Sequence, residues 1–197
     1  MYLIFDTAAN GSPKSWKAPV TDTFNWPRMI HISWITLGED LKPLEDFNCL
    51  IKSPEYKISA DAAKKHSIEL EDVEAKGDKL SEVLDKFNKT VKESKYVFSH
   101  NLKYNESIVG AECIRAHKTD PLAYADKYCL MHEGTFLCKL KGKQGYKWPT
   151  LQELHSKIFN QGFTPPNNAR ADVIAASRCF IAMKKIGHLE DIFDDDI

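Results

Sequence analysis

The stretch Tyr2-Leu3-Ile4-Phe5-Asp6-Thr7-Ala8-Ala9-Asn10-Gly11 decides how the rest of the chain is interpreted. Its four leading apolar residues are typical of a fully buried strand. The apolar run stops at Asp6, and Asn10-Gly11 is a turn signal. The pattern predicts one carboxylate at the end of a central strand, where open α/β sheets bind their ligands. Taken alone, however, the stretch is better explained as a plain strand followed by a hairpin turn, with Asp6 as a solvated turn residue rather than a ligand-binding one.

Composition and charge are those of an ordinary globular chain without a strong overall field. The 197 residues fit one domain with a sizeable core, and 43% hydrophobic with 28% charged residues is usual. Lys+Arg of 27 against Asp+Glu of 28 gives a net charge of −1, so any binding of nucleic acid must come from a local groove. No apolar run has membrane-spanning length and no signal peptide is visible, so we expect no membrane partner.

Cysteine usage indicates a reducing compartment. The five cysteines are an odd number with irregular spacing, which favours free thiols and a cytoplasmic location. Cys129-x-x-His132 with Cys138 resembles half of a zinc site. No second ligand pair follows, so we interpret these three residues as parts of the core or of a loop.

The first half of the chain predicts three consecutive strands followed by helices. Residues 12–27 form a long loop after the first strand, and 29–37 and 44–52 form two further strands. Three strands in succession favour an antiparallel meander. Ser59 is predicted to cap a short helix, and Asp78 is predicted to cap a longer amphipathic one.

The second half alternates strands and helices. The predicted elements are strand 96–98, helix 102–117, strand 124–131, a mobile loop over 132–149, helix 150–159 and a last helix from about residue 168. A capping box of Thr150 and Glu153 opens the fifth of these. We find no repeat or linker, so one domain is predicted over 1–197, with an acidic tail at about 190–197. The order predicts an α/β fold with a mixed central sheet and flanking helices, typical of the RNase H-like architecture.

Five short segments carry a family resemblance. They are Phe5–Gly11, His66-Ser67-Ile68, His100–Asn105, Lys147–Leu154 and Asn167–Asp172. The first is similar to a strand ending in Asp-x-Glu, the third to His-Asn-x-x-Phe-Asp, and the fifth to His-Asn-Ala-x-x-Asp. In this order and spacing they resemble the DnaQ-like, DEDD-type 3′–5′ exonucleases of the RNase H-like superfamily, nearly end to end.

The resemblance implies a specific chemistry and a set of site positions. Such hydrolases hold two divalent metals with four carboxylates, and a histidine takes the proton from the attacking water. Asp6 and Asp172 match two of the carboxylates. Ala8 stands where the family has Glu, Asn105 where it has the second Asp, and Asn167 where it has the His.

Each substitution has a physical consequence. Ala8 has no oxygen, Asn105 offers only a neutral carbonyl to a hard cation, and the amide of Asn167 is not basic. Losing a general base alone costs roughly 10²–10⁴ in rate. We therefore expect Mg²⁺ or Mn²⁺ to bind weakly or not at all at Asp6 and Asp172, with little or no catalysis.

The resemblance also implies contacts to nucleic acid. The motif residues expected to make them are Thr7, Ala9, His100, Asn101 and Tyr104. Trp16 and Trp26 in the long loop are candidates for stacking on bases, whereas Trp34 lies in a strand and is predicted to be core. Lys139, Lys141 and Lys143 form a basic loop that either contacts phosphates or is simply solvated.

Three functions remain open from the sequence. The leading hypothesis is binding of a single-stranded nucleic-acid 3′ end, or of a protein partner, without efficient cleavage. The first alternative is a functional metal-dependent 3′–5′ exonuclease with a weakened or rearranged site. The second is a structural or protein-interaction module that reuses the fold, with which the near-zero net charge is compatible. Whether the chain is an enzyme is left undecided.

Overall fold

A computed structural model describes residues 1–52, 57–163 and 168–193, and within them a mixed β-sheet is the central feature. Its six strands are β1 Tyr2–Ala9, β2 Met29–Leu37, β3 Pro43–Lys52, β4 Asp78–Lys79, β5 Tyr96–Ser99 and β6 Lys127–Cys129. They lie in the order β4-β3-β2-β1-β5-β6. β1, β2 and β3 pair antiparallel as the predicted meander, and the other neighbours pair parallel. The α/β fold class with a mixed sheet is confirmed.

Helices cover both faces of the sheet. They are α1 Ala60–His66, α2 Leu70–Lys76, α3 Leu80–Glu93, α4 Leu102–Arg115, α5 Leu130–Cys138, α6 Leu151–Phe159, α7 Ala169–Lys185 and α8 Glu190–Phe193, with a 3₁₀ turn at Pro121–Tyr124. Successive residues of β1 point to opposite faces. Phe5 therefore joins a core with α3 and α4, while Ile4 joins a second core with α5, α6 and α7. None of the helices in the described ranges is long and apolar enough to cross a membrane.

The first strand is longer than predicted, and this changes the position of Asp6. β1 continues to Ala9 because β2 pairs with it as far as Met29, so Asp6 lies inside the strand and opposite Ser33. On the other side, β5 pairs only with Tyr2–Ile4. The edge of β1 that faces α4 is thus open from Asp6 onward.

Two predicted boundaries in the middle of the chain are wrong. Strand 124–131 is reduced to β6, and the predicted loop 132–149 begins with α5. Gly134 favoured a loop in the sequence, but it lies buried inside α5, where an added Cβ would come within 2.8 Å of Leu154 on α6. Asp78 is also not a cap, since it belongs to β4 and α3 begins after Lys79 without a side-chain cap.

Other helix starts agree with the capping signals. Ser59 accepts a hydrogen bond from the Ala62 N–H, and Thr150 with Glu153 forms the predicted capping box. Asn168 caps α7. At the end of the chain, residues 190–193 form α8, and the three aspartates that follow lie outside the described residues.

A buried ion cluster ties the long loop to α4. Glu112 is fully buried and accepts hydrogen bonds from the Arg28 Nε at 2.9 Å and from the Met29 N–H at 2.9 Å. Arg115 lies 3.0 Å from the same carboxylate, and it donates to the carbonyl of Trp26. The loop predicted over residues 12–27 is therefore anchored to the scaffold beside the end of β1.

Candidate functional site

A cavity of about 350 Å³ lies where β1 and β5 end. The sequence-predicted residues that line it are Asp6, Thr7, Ala8, Ala9, Trp16, His100, Asn101, Tyr104, Asn105 and Asp172. α1, α4 and α7 supply the surrounding walls together with the long loop. The fold thus brings ten of the predicted residues to one cleft, while Asn167 lies outside the described residues.

The side chain of Asn105 makes five hydrogen bonds in this cleft. Its Oδ1 accepts from the Thr7 N–H at 3.1 Å and from the Thr7 hydroxyl at 2.6 Å. Its Nδ2 donates to Asp6 Oδ1 at 2.7 Å, to Ser99 Oγ at 2.7 Å and to the His100 carbonyl at 3.2 Å. The opposite amide orientation would place the carbonyl oxygen against Asp6 and the NH₂ against the Thr7 N–H, so the partners fix the orientation.

This network corrects the expectation that the Asn105 carbonyl faces a cation. Both lone pairs of Oδ1 are used by Thr7, and the residue is buried. Asn105 reaches this position because Asn101, with φ of 60°, turns the chain into α4 one turn earlier. The side chain then satisfies the edge of β1 that β5 leaves unpaired.

Three carboxylates, Asp6, Asp61 and Asp172, line the cleft, and two of them, Asp6 and Asp172, are in an environment that disfavours charge. Burial raises the pKa of Asp6 well above its usual value, and the charge of Asp172 raises it further. Burial also raises the pKa of Asp172 from 3.8 to about 6. The hydrogen bond from Asn105 lowers the pKa of Asp6, and the ammonium of Lys65 lowers both. The cleft therefore favours a proton or a cation beside this pair.

The donor set does not fit two metal ions. Asp6 already accepts from Asn105 with one oxygen, and Ala8, two residues along β1, brings only a methyl group to the cavity. Among the side chains that the structure describes, no group of three or more His, Cys, Asp or Glu residues is arranged to hold a metal. Asp61 also lines the cavity but forms no such group with Asp6 and Asp172, which leaves fewer oxygen ligands than a pair of hard divalent cations takes.

Three ring residues of the cleft are neutral. Burial lowers the pKa of His100 to about 4, and a hydrogen bond to the Pro149 carbonyl only partly offsets this. Burial also lowers the pKa of His66, whose Nδ1 accepts from the Ile68 N–H at 3.1 Å. Burial and the charge of Asp6 raise the pKa of Tyr104, so its phenol keeps its proton.

Lys65 and His66 are cleft residues that the sequence analysis did not select as site residues. Both line the cavity because α1 is tied to the end of β1: the Ser59 N–H donates to the Asn10 carbonyl at 2.9 Å. The available signal was the His66-Ser67-Ile68 segment of the family resemblance. Nothing in the residue pattern pointed to Lys65.

The tryptophans singled out in the sequence lie in different environments. Trp16 is 62% exposed, lines the cavity and lies with its ring 5.7 Å from that of Tyr104. Trp26 is 3% exposed and donates its indole N–H to the Pro19 carbonyl, so the prediction that it stacks on bases is wrong. The anchored loop folds Trp26 into the core instead of presenting it to solvent. Trp34 is core, as predicted.

The three lysines of the predicted basic loop and the cysteines do not line the cavity. Lys139, Lys141 and Lys143 are exposed in a tight reverse loop after α5, and none of them lines the cleft. Cys129 and Cys138 belong to separate cores on the two faces of the sheet, as the core interpretation requires. All five cysteines are free and buried.

Comparison with known proteins gives a fold but no family. No protein-family model and no curated protein matches the sequence. The solved structure of E. coli Exonuclease I in complex with a dT13 oligonucleotide matches with a TM-score of 0.73 at 15% identity, over 98% of this chain and 42% of that one. The zinc-bound E. coli ExoI–ssDNA complex matches with 0.73 at 17%, over 98% and 42%.

A product-bound exonuclease I matches equally well, with a TM-score of 0.73 at 16% identity, over 98% of this chain and 45% of that one. The chain spans less than half the length of these structural neighbours. Likeness at this identity shows the fold alone, which is that of an RNase H-like exonuclease.

Proposed function

We propose that this chain binds the 3′ end of a single-stranded nucleic acid in the cleft of Asp6 and Asp172, with little or no cleavage. The proposal depends mainly on the hydrogen bonds of Asn105. At the position where the resembling family has a metal ligand, this side chain already has hydrogen-bond partners within the protein. Hydrogen bonds of Asn105 with Thr7, Asp6 and Ser99 support the shape of the cleft.

The expected loss of catalysis follows from the donor count. A two-metal displacement needs both ions some 3.5–4 Å apart, held on both sides of the reacting phosphate. Ala8 contributes no ligand, and the oxygen of Asn105 is occupied by Thr7. Asn167, at the position that resembles the family's base, cannot accept a proton near neutral pH. Bound Mg²⁺ or Mn²⁺ is therefore expected to be weak or absent.

The expected binding follows from the walls of the cleft. Trp16 and the partly buried Tyr104 line the cleft with neighbouring rings, and an exposed ring such as that of Trp16 can stack on unpaired bases. We assign Thr7, Ala9 and Asn101 to the contact surface. The structural neighbours were solved with dT13 and dA16 oligonucleotides, which supports a single strand as the ligand.

The direct test is titration of a fluorescently labelled oligo-dT with a free 3′ hydroxyl. Because stacking is worth about 1–3 kcal/mol per base, Trp16→Ala should weaken binding about 5- to 150-fold. Tyr124→Ala is the matched control, since Tyr124 is 94% exposed and lies outside the cavity. A 3′-phosphate or a duplex should bind more weakly than the free single strand.

The alternatives give different results in the same assay. Absence of binding at low salt would favour the protein-interaction module. Robust Mg²⁺-dependent degradation by the unmodified chain, abolished by Asp6→Asn, would instead support the functional exonuclease. Retained affinity of Trp16→Ala would contradict the cleft as the binding site.

Two broader assignments accompany the proposal. We infer a single domain over residues 1–197, supported by the one sheet that both cores share. We also infer a cytoplasmic location, supported by the five free cysteines.

A further inference from the structure

An exposed aromatic surface lies on the outer side of α5, outside the cleft. His132 and Phe136 are one turn apart on this helix, and the following loop folds back over them. The Trp148 ring lies 4.6 Å from that of His132, and the Tyr146 ring lies 6.1 Å from that of Phe136. Phe136 is 69% exposed and Trp148 is 61% exposed. We call these four rings the α5 aromatic surface.

The same segment is strongly positive. Residues 134–150 contain four lysines and no Asp or Glu. Lys147 pairs with Glu153, whereas Lys139, Lys141 and Lys143 are exposed in the loop that also carries Tyr146 and Trp148. The loop that carries them is closed by the bridge between Lys141 and Tyr146 and by the Gly142 N–H donating to the Gly145 carbonyl. Rings and charges are therefore held together on one folded element.

This surface adjoins the cleft. His100 lines the cavity and bonds to the carbonyl of Pro149, the residue after Trp148. Leu151, two residues further on, also lines the cavity. A strand that leaves the cleft past His100 would meet Trp148 first and the lysine loop beyond it.

We propose that the α5 aromatic surface, with Lys139, Lys141 and Lys143, is a second contact surface for the single strand whose 3′ end occupies the cleft. Bases stack on Trp148 and Phe136, and the lysines contact the phosphates between them. This proposal rests on the proposed function and assigns the path of the strand away from its 3′ end. A single-stranded nucleic acid is the occupant because exposed rings and exposed lysines occur on the same element here, which an apolar protein partner would not need.

Oligonucleotide probes of two lengths distinguish binding in the cleft from binding at the α5 aromatic surface. A probe of about 3 nucleotides is short enough to report on the cleft, and one of about 12 nucleotides is within the site sizes of single-strand binders. The unmodified chain should bind the longer probe at least about tenfold more tightly. Phe136→Ala with Trp148→Ala should remove that gain and leave the affinity for the short probe unchanged. Trp16→Ala should weaken both.

The charge contribution is measured by salt dependence. Replacing Lys139, Lys141 and Lys143 with Ser should lower the slope of log K against log salt by about 2, because each phosphate contact on a single strand contributes about 0.7. The matched control replaces Lys79, Lys89 and Lys92, which are exposed at α3 on the other face of the sheet, and should leave the slope unchanged. Circular dichroism and thermal unfolding verify that each variant folds.

The outcomes distinguish this proposal from the one it rests on. Equal affinity for short and long probes, or an unchanged slope in the lysine variant, overturns the second surface and leaves the cleft intact. Failure of both probes to bind overturns the proposed function itself. A dimer in light scattering that Phe136→Ala with Trp148→Ala dissociates would identify the surface as an interface between copies, and would also overturn the proposal.

Discussion

Asn105→Asp is the most informative single change in this molecule. It restores a carboxylate at a position that the family resemblance assigns to a metal ligand, and it alters only one atom of the side chain. In the structure, that atom is the nitrogen that donates to Asp6, Ser99 and the His100 carbonyl. The variant would therefore place a buried oxygen against three acceptors, one of them charged.

The expected cost follows from the lost contacts. A hydrogen bond to a charged group is worth about 1.5–3 kcal/mol, and leaving a buried charge uncompensated costs about 3–5 kcal/mol. We expect the free energy of unfolding to fall by about 3–5 kcal/mol at pH 7.5 without metal. In a chain of 197 residues this corresponds to a fall in Tm of about 6–20 °C.

The fall in the free energy of unfolding caused by Asn105→Asp should be larger at high pH than at low pH. The new carboxyl would have a higher pKa in the folded than in the unfolded chain, so the folded state binds the extra proton. The deficit is therefore largest above the folded pKa and diminishes as the pH falls toward 4. Urea unfolding at pH 7.5 and pH 4 measures both limits.

Two controls make the result interpretable. Gln144→Glu makes the same amide-to-carboxylate change at an exposed loop position and should change stability by no more than about 0.5 kcal/mol. Added Mn²⁺ should raise the Tm of Asn105→Asp, since three carboxylates can then share an ion, and should leave the unmodified chain unchanged. Unaltered stability of Asn105→Asp at pH 7.5 without metal would refute the network as the support of the cleft.

Three further predictions concern the cleft and its surroundings. Asp172→Asn should stabilise the chain by about 1–3 kcal/mol at pH 7.5 and by little at pH 4, because its folded pKa of about 6 makes ionisation unfavourable as the pH rises from 4 to 6; urea unfolding measures this. Glu112→Gln should cost about 3–5 kcal/mol and speed proteolysis of the long loop, since two guanidinium groups lose their buried partner. The triple variant Ala8→Glu, Asn105→Asp, Asn167→His should degrade a single strand from its 3′ end with Mg²⁺ while the parent does not; failure would indicate that the cleft itself has been remodelled.

Local signals in the sequence predicted much of the scaffold. The apolar start of β1 indicated a buried strand, and its alternation now divides Ile4 and Phe5 between two cores. Ser59 and Asn168 marked helix starts because a side-chain oxygen at such a position satisfies a free backbone N–H. Each of these signals depends on neighbours within a few residues.

The errors arose where long-range packing decides. Gly134 is a helix residue at which α6 approaches closely through Leu154, and no local pattern shows that contact. Trp26 is buried because Glu112, more than 80 residues away in the chain, holds the neighbouring Arg28 and Met29. Lys65 reaches the cleft through the tie between Ser59 and Asn10. Tertiary contacts of this kind override turn and loop propensities.

The charge of the cleft links the proposed loss of cleavage to the proposed retention of binding. Without metals, each carboxylate about 5 Å from an entering phosphate repels it by about 3 kcal/mol at an effective dielectric constant of 20. Four carboxylates would exclude a strand unless cations came with it. In this cleft the pKa of Asp6 and that of Asp172 are both raised, Asp61 is the third carboxylate of the lining, and Lys65 lines the same cavity. Compared with a cleft of four carboxylates, Ala8 and Asn105 would lower the repulsion by about 6 kcal/mol, which is consistent with the proposal that a strand binds here without the ions that its cleavage would require.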